Sequence, residues 1–489
     1  MIVYKRKKKR SDKSRMQERN KYLKVKSLFS DTIAFTISSF ASKILVFLLL
    51  PLYTAVLTTE EYGVADLLTN TINVLYPILT LGIMESTLRF TLDKNVEKED
   101  VLSNSIFVIF ISQIILSCLT PVVSYVSETM GKYWLWFMVM FFLFNLDQVM
   151  SQYIKGIGKT KVFAISGVLH TFIVIICNIV GLLVVKAGIN AYLFAIIAGY
   201  CITIVFLFFA GNIRIKKIHV NVTLLKEMLK FSIPMVPTIV TWWVSTSADK
   251  YIIIGYLGVA VSGLYSVAYK IPSIMTLFTN IFNSAWTISA IEGNEDKDNA
   301  EFQTMVYAYF NAFNVGIASI LILGAQLLGK ILFSNEFFTA WHCVPMLLVA
   351  YVFSGLAGFL ASSFRAAKYT RGLLSSTLVG AITNILLNFI FIKYFGIMGA
   401  AFTTMLGFAV TFYIRTQAIK KIINININIV KDSIVYLILI IQAFIVGHEV
   451  AYSYIIAILL LMVIILVYRH FYGRILKKSL DYLRMILCR

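Results

Sequence analysis

KGIGKTKVFAISGVLHTFIVIICNIVGLLVVKAGINAYLFAIIAG, residues 155–199, occurs twice in this chain. An offset of 210 carries Lys155 onto Arg365, Thr160 onto Thr370, Lys161 onto Arg371, Ser166 onto Ser376 and Asn178 onto Asn388. Two residues are lost from the following loop, and an offset of 208 then carries Gly188-Ile189 onto Gly396-Ile397 and Gly199 onto Gly407. Each copy is a short basic loop, an apolar run of helix length, a glycine-containing turn and a second apolar run. Duplicated hydrophobic units of this kind build membrane proteins with a path between the copies. The repeat therefore predicts two homologous membrane bundles facing each other.

Composition agrees. The chain is 59% hydrophobic and 14% charged, where soluble proteins average roughly 25% charged. Its apolar runs are long enough to cross about 30 Å of hydrocarbon. Without water, every backbone N–H and C=O must be paired inside the segment, so such runs are helices; a barrel would show short alternating strands instead. The expected fold is an all-α polytopic membrane protein with about fourteen transmembrane helices. They are placed at 28–57, 62–90, 102–126, 133–154, 162–185, 191–213, 232–257, 262–290, 303–328, 341–364, 373–393, 399–414, 433–446 and 451–468.

The net charge of +20 could belong to a nucleic-acid binder, but its distribution excludes that class. With the N-terminus cytoplasmic, 36 of the 44 Lys and Arg fall in cytoplasmic segments. The outer loops hold Lys132, Lys186, Lys330 and Lys393, and the spans hold Lys43, Arg89, Lys250 and Lys270. That bias places both termini in the cytoplasm and requires an even number of spans. Anionic lipids are the expected partners of the basic segments. Cys118, Cys177, Cys201, Cys343 and Cys488 lack paired spacing, so neither disulfides nor metal are expected. No Walker loop, H-E-x-x-H or C-x-x-C occurs, and the five histidines are scattered; no catalytic residue and no cofactor are expected.

The domain plan follows. Residues 1–27 are a basic cytoplasmic tail ahead of an uncleaved first helix. The N-lobe of six helices spans 28–213 and a basic linker 214–231; the C-lobe of six spans 232–414 and a second basic linker 415–432. Helices thirteen and fourteen, 433–468, are an appended pair before a cytoplasmic amphipathic tail, 469–489. The two lobes are expected in parallel topology, related by a pseudo-two-fold along the membrane normal. A weaker match at offset 200 supports them, carrying Tyr62-Gly63-Val64-Ala65-Asp66 onto Ser262-Gly263-Leu264-Tyr265-Ser266. Both linkers run into an alternation, Val220-Asn221-Val222 and Ile423 to Ile429, whose period of two predicts a short strand-like connector.

Two stretches carry a family likeness. Glu61-Tyr62-Gly63-Val64-Ala65-Asp66-Leu67, with Leu81-Gly82-Ile83 leading to Arg89, resembles the second helix of Wzx-type polysaccharide repeat-unit flippases. So does Ala248-Asp249-Lys250-Tyr251 through Gly258, followed by Gly263-Leu264-Tyr265-Ser266-Val267-Ala268-Tyr269-Lys270. Lipid II flippases and multidrug exporters of the MATE type share that superfamily. The resemblance spans residues 28 to 470 and is diffuse in motif. It implies translocation of an undecaprenyl-diphosphate-linked oligosaccharide from the inner to the outer leaflet of a bacterial cell membrane, for capsule, exopolysaccharide or O-antigen. A polysaccharide polymerase and glycosyltransferases would be partners. A lipid II flippase and a drug/cation antiporter are the alternatives; buried lysines and fourteen spans argue against the second. A non-transporting scaffold would have no use for charges inside the spans.

A charge within a span costs about 2.5–3.5 kcal/mol on insertion scales, so each one needs a reason. Lys43, Lys250 and Lys270 are candidates for a cationic lining facing a diphosphate. Lys43 shares the first helix with Thr32, Thr36, Ser38, Ser39 and Ser42, as a helix lining a wet cavity would. Lys155 and Arg365, repeat mates at the inner mouth, are either positive-inside anchors or a cationic vestibule. Asp249 and Lys250 sit about 100° apart on one helix and point different ways; Asp249 is either a structural partner or a coupling-ion site. Asp66, one turn before Asn70, is a partner for Lys270 across the cavity. Glu85 and Arg89, four apart, can pair on one face, and Arg89 otherwise belongs to the cationic path. Asp147, between Asn145 and Gln148, is an internal hydrogen-bond hub or part of the path. Pro234, Pro237 and Pro272 imply bends that alternating access can exploit.

Overall fold

The computed structural model describes residues 47–121, 125, 127–213, 219–292, 299–366, 370–420, 425, 427–469 and 471–473. Among them there are helices and connections and no strand, so the chain is an all-α polytopic membrane protein. Among the described residues eight helices are long and apolar enough to cross a membrane, nine if Thr59–Leu79 and Ile83–Thr91 form one broken span. Of the other expected spans, 232–257, 262–290 and 451–468 are helical over most of their length. Val236–Leu257 is diluted by Thr241, Ser245, Thr246, Ser247 and Asp249-Lys250, and Ser453–Val467 is short at 15 residues. Thr370–Ile419 is two arms joined at Gly396, whose φ of 58° and ψ of −140° suit glycine alone. The first expected span is described only from residue 47.

By their contacts the residues form two units, and these cut across the sequence repeat. Unit 1 holds α3 (Ile83–Thr91), α4 (Lys98–Cys118), α5 (Glu128–Lys132), α6 (Trp134–Gly156), α7 (Thr160–Ile179), most of α8 (Gly188–Ala210) and α9 (Val222–Ser232). At its centre α6 packs on α3, α4 and α7. Gly156 lets α6 approach Thr91 so closely that a Cβ would strike its side chain. Unit 2 holds α1 (Leu50–Val56), α2 (Thr59–Leu79), α10 (Val236–Leu257), α11 (Val259–Ala268), α12 (Lys270–Glu292), α13 (Asn299–Leu323), α14 (Ala325–Leu332), α15 (Val344–Ala366), α16 (Thr370–Ile419), α17 (Ile429–Gly447) and α18 (Ser453–Val467). Here α15 is the core helix. Its apolar window, within Asn335–Arg365, is 83% buried, and it packs on α12, α13, α16 and α17. An all-round apolar helix is what such a position demands.

Repeat mates do the same local work. Ser166 and Ser376 each donate to the carbonyl three residues back, on Phe163 and Leu373. Thr203 and Thr411 each donate to the glycine carbonyl one turn back, on Gly199 and Gly407. Gly188 and Gly396 both turn with left-handed φ, at 55° and 58°.

The first strand-like connector is not found: Val222 already opens α9, while residues 423, 424 and 426 of the second lie outside the described residues. Asn221 and Asn428 are N-caps, accepting from the N–H of Leu224 at 3.2 Å and of Lys431 at 3.1 Å. An asparagine with extended backbone before an apolar run satisfies orphan helix donors, and that competing reading wins over period two.

Candidate functional site

The site grows from a helix crossing in unit 2. A Cβ at Gly63 of α2 would collide with the Val259 carbonyl, and one at Gly263 of α11 with the Thr59 carbonyl. These contacts are reciprocal because both pairs stand 200 residues apart. Two backbones touching through glycine bring the next turn of each helix within hydrogen-bond reach. There Ser266 donates to the Oδ2 of its own mate Asp66 at 2.7 Å.

Asp66 Oδ2 also accepts from Asn70 Nδ2 at 2.8 Å and pairs with Lys250 Nζ of α10 at 2.8 Å. The two charged side chains are 13% and 17% exposed, so this is a buried ion pair. Removing one partner of such a pair costs about 3–5 kcal/mol, since the other charge is left buried. The expected partner of Asp66 was Lys270; the structure gives that place to Lys250. The glycine crossing sets Asp66 in front of α10, where Lys250 reaches it in a direct hydrogen bond. Lys270 is close enough for its charge to act on Asp66 but makes no ion pair among the described residues. Among the described residues, Lys250 is the lysine that pairs with this carboxylate.

Asp249 points the other way, as adjacent helix positions require. It is 3% exposed. Its Oδ2 accepts from Tyr269 at 2.9 Å, Tyr265 at 3.0 Å and Thr404 at 3.2 Å, and its Oδ1 from the Lys250 N–H at 2.9 Å. The chain of polar contacts continues into α16: Asn384 donates to Thr404 at 3.4 Å and accepts from Asn388 at 3.1 Å, and Thr403 donates to Asn388. Above Asp66, Thr71 and Tyr251 share a hydrogen bond of 2.8 Å, and Trp243 donates to the Asn70 carbonyl at 3.2 Å. A carboxylate in an apolar bundle held by hydroxyls can change protonation without disrupting an ion pair, because every donor on it is neutral.

The other candidates lie elsewhere. Lys43 is outside the described residues. In unit 1, Arg89 does not pair with Glu85. It lies 4.0 Å from Asp93, an exposed i,i+4 pair at the helix end. Glu85 instead acts on Lys155, whose ammonium sits 4.0 Å from the centre of the Phe163 ring. Asp147 is not a hub: its Oδ1 is buried without a partner, and Gln148 reaches Oδ2 only at 3.5 Å. Asn145 turns away to the Phe141 carbonyl. Arg365 is exposed and donates to Ser362 at 3.0 Å. No group of three or more His, Cys, Asp and Glu that could hold a metal exists among the described residues. Sequence reasoning missed Tyr265, Tyr269, Thr404 and Ser266; the offset of 200 could have found Ser266, whereas the tyrosines read as ordinary helix aromatics.

The chain matches the polysaccharide biosynthesis protein family over residues 28–292, more than half its length. It is 23% identical over 428 residues to an uncharacterized membrane protein of Methanocaldococcus jannaschii, covering 81% of this chain and 99% of that one. A probable low-salt glycan biosynthesis flippase of Haloferax volcanii is 21% identical over 252 residues, 50% of this chain and 53% of that one, about half its length. The fold is similar to that of the lipid II flippase MurJ in an inward closed conformation, with a TM-score of 0.69 at 17% identity over 91% of this chain and 99% of that one. An inward-facing multidrug resistance MATE family transporter gives 0.67 at 13% identity over 78% and 95%.

Proposed function

Because the chain belongs to the polysaccharide biosynthesis protein family, we propose that it is a flippase, not an enzyme, for lipid-linked glycan. In this reading it carries an undecaprenyl-diphosphate-linked oligosaccharide from the inner to the outer leaflet of a bacterial cell membrane. It works by alternating access, the lipid tail staying in the bilayer while the polar head group is carried across. The probable flippase relative and the two similar folds support this reading.

The observation that carries it is the buried Asp66–Lys250 pair, which leaves Lys270 unpaired among the described residues. Lys250 is committed to Asp66, and Lys270 beside it has no ion pair among the described residues. Lys270, with Lys43 of the first helix, supplies charge to a passing diphosphate. Asp249 sets the net sign of the cluster: neutral, it leaves the lysines in excess and favours the anion; ionised, it cancels them and favours release. The membrane potential drives the same direction, since two negative charges moving outward through about 100 mV gain roughly 4.6 kcal/mol.

The test is export of lipid-linked glycan by cells carrying variants at unchanged protein level. Lys270→Ala and Lys43→Ala should each abolish export, and Lys270→Arg should retain part, because charge matters more than fork geometry for a mobile diphosphate. Normal export by both alanine variants would remove the cationic lining.

A further inference from the structure

At one end of unit 2 stands a second cationic cluster, unlike the first in having no acid paired to it among the described residues. Arg415, on α16, is 7% exposed. Its guanidinium donates to Ser376 Oγ at 3.0 Å, Thr377 Oγ1 at 2.8 Å and the Ala357 carbonyl at 2.6 Å. All three acceptors are neutral. No Asp or Glu pairs with it among the described residues, where the ion pairs are Arg89–Asp93 and Lys250–Asp66. Its nearest charged neighbour along that face is another cation: Arg415 holds the carbonyl of Ala357 on α15, and Arg365, about two turns further along the same helix, donates to Ser362 at 3.0 Å. Ser376 and Thr377 lie in the second turn of α16, so the positive end of that helix dipole adds to the excess. The C-terminal ends of the helices carrying the two arginines offset part of it.

The repeat sharpens the contrast. Lys155, the mate of Arg365 in unit 1, has Glu85 within electrostatic reach and the Phe163 face beneath it. Residue 207, the mate of Arg415 at the second offset, is Leu207. One copy of the position is therefore compensated, and the other is doubled and uncompensated. A buried charge is tolerated when paired, and where the protein supplies no counter-charge a ligand can. Two guanidinium groups flanked by hydroxyls suit a phosphate group, which accepts paired N–H donors in a fork. We propose that Arg365 and Arg415, with Ser362, form an anion site for a phosphate or diphosphate ester, Arg415 being held in place by α16 and Arg365 being the exposed arm that closes on the ligand. That the anion arrives on a lipid rests on the proposed function; the site itself does not.

The test uses full-length protein in detergent micelles and three probes: inorganic pyrophosphate, a short isoprenyl diphosphate and phosphatidylglycerol. The unfolding midpoint is followed as each is titrated. The isoprenyl diphosphate should raise it saturably, and Arg365→Ala should weaken that response by about tenfold, equal to about 1.4 kcal/mol. Arg365→Glu should abolish it. Neither variant should lower the ligand-free midpoint, because Arg365 is exposed. Lys226→Ala, an exposed lysine of α9, controls for diffuse attraction and should bind as the parent. Arg415→Lys, which keeps the charge and loses the fork, should also bind more weakly; if it fails to fold, the Arg365 variants decide. Pyrophosphate binding that depends on Arg365 supports a site for phosphate from either source, and binding of the isoprenyl diphosphate alone supports the lipid source. Binding of phosphatidylglycerol alone, or any binding indifferent to both Arg365 variants, overturns the site. Arg365-dependent binding without glycan export would retire the proposed function and leave the site standing; export with no such binding would do the reverse.

Discussion

Asp66 takes three donors on one oxygen, two of them neutral and one an ammonium. Its energetics are those of a small network in which each partner limits the freedom of the others. Lys250→Met strands Asp66, and Asp66→Asn strands Lys250, each costing about 3–5 kcal/mol of stability, whereas the double variant removes both charges and should cost clearly less than the sum. Unfolding in detergent across this cycle measures the coupling; strict additivity would show that the 2.8 Å contact is not formed in the folded protein. At Asp249 the expected outcome differs, because all its donors are neutral. Asp249→Asn fixes the uncharged form and should leave the protein folded and able to bind substrate while glycan export falls by about tenfold or more, the effect of locking one state of a two-state cycle. Equal export by Asp249→Asn and the parent would remove Asp249 from the coupling. Much of this was legible from sequence. A carboxylate or lysine within a span announces itself by its cost, and Lys250, Lys270 and Asp249 stand out that way, with Asp66 entering as a partner for Lys270. The pairing was not legible. Which lysine reaches Asp66 depends on the glycine crossing and on the rotation of α10, and neither leaves a trace in spacing along the chain.

At the scale of helices, glycines decide where backbones meet, and substitution separates their roles. Gly63→Ala and Gly263→Ala each place a methyl into a facing carbonyl, and overpacking of this kind costs about 1–3 kcal/mol. Prising α2 from α11 also draws Asp66 away from Ser266, so both variants should lower the unfolding midpoint and weaken export together. Gly396→Ala should be as damaging for a different reason, since its φ of 58° with ψ of −140° is closed to residues with a side chain. Gly255, inside α10, is the internal control. A Cβ there meets nothing within 4 Å, so Gly255→Ala should be neutral or stabilise by up to about 1 kcal/mol through helix propensity. A loss on Gly255→Ala equal to that on Gly63→Ala would contradict the assignment of close approach to one and open space to the other. The glycine turns at 188 and 396 were visible as a repeat before any geometry was known. The connector at Val220-Asn221-Val222 is different: alternation of polar and apolar residues over a few positions has two causes, and at Asn221 capping chemistry prevails.

For the whole molecule, the repeat and the apolar runs determined the class of fold, because in lipid the backbone has few ways to pair its polar groups. The division into contact units was not legible. Residues 49–78 join unit 2 although their mates lie 200 residues on, since the α2–α11 crossing overrides chain order. Orientation rests on charge. If both termini face the cytoplasm, the outside receives Lys132, Lys186, Lys330 and Lys393, while 36 of the 44 basic residues stay inside. Reversing the chain would send those 36 outward against a potential that charges about 2.3 kcal/mol per unit charge at 100 mV. The charges that count most lie close to the span ends, and the short loops around Lys155, Lys159 and Lys161 and around Arg365, Lys368 and Arg371 carry the same expectation. The measurement is thiol accessibility in intact cells after the five native cysteines are replaced. Lys330→Cys, near the end of α14, should react with an impermeant maleimide from outside, and Asp12→Cys should react only after the membrane is opened. Labelling of position 12 from outside would invert the topology, and with it the direction in which the Arg365–Arg415 cluster meets an incoming anion.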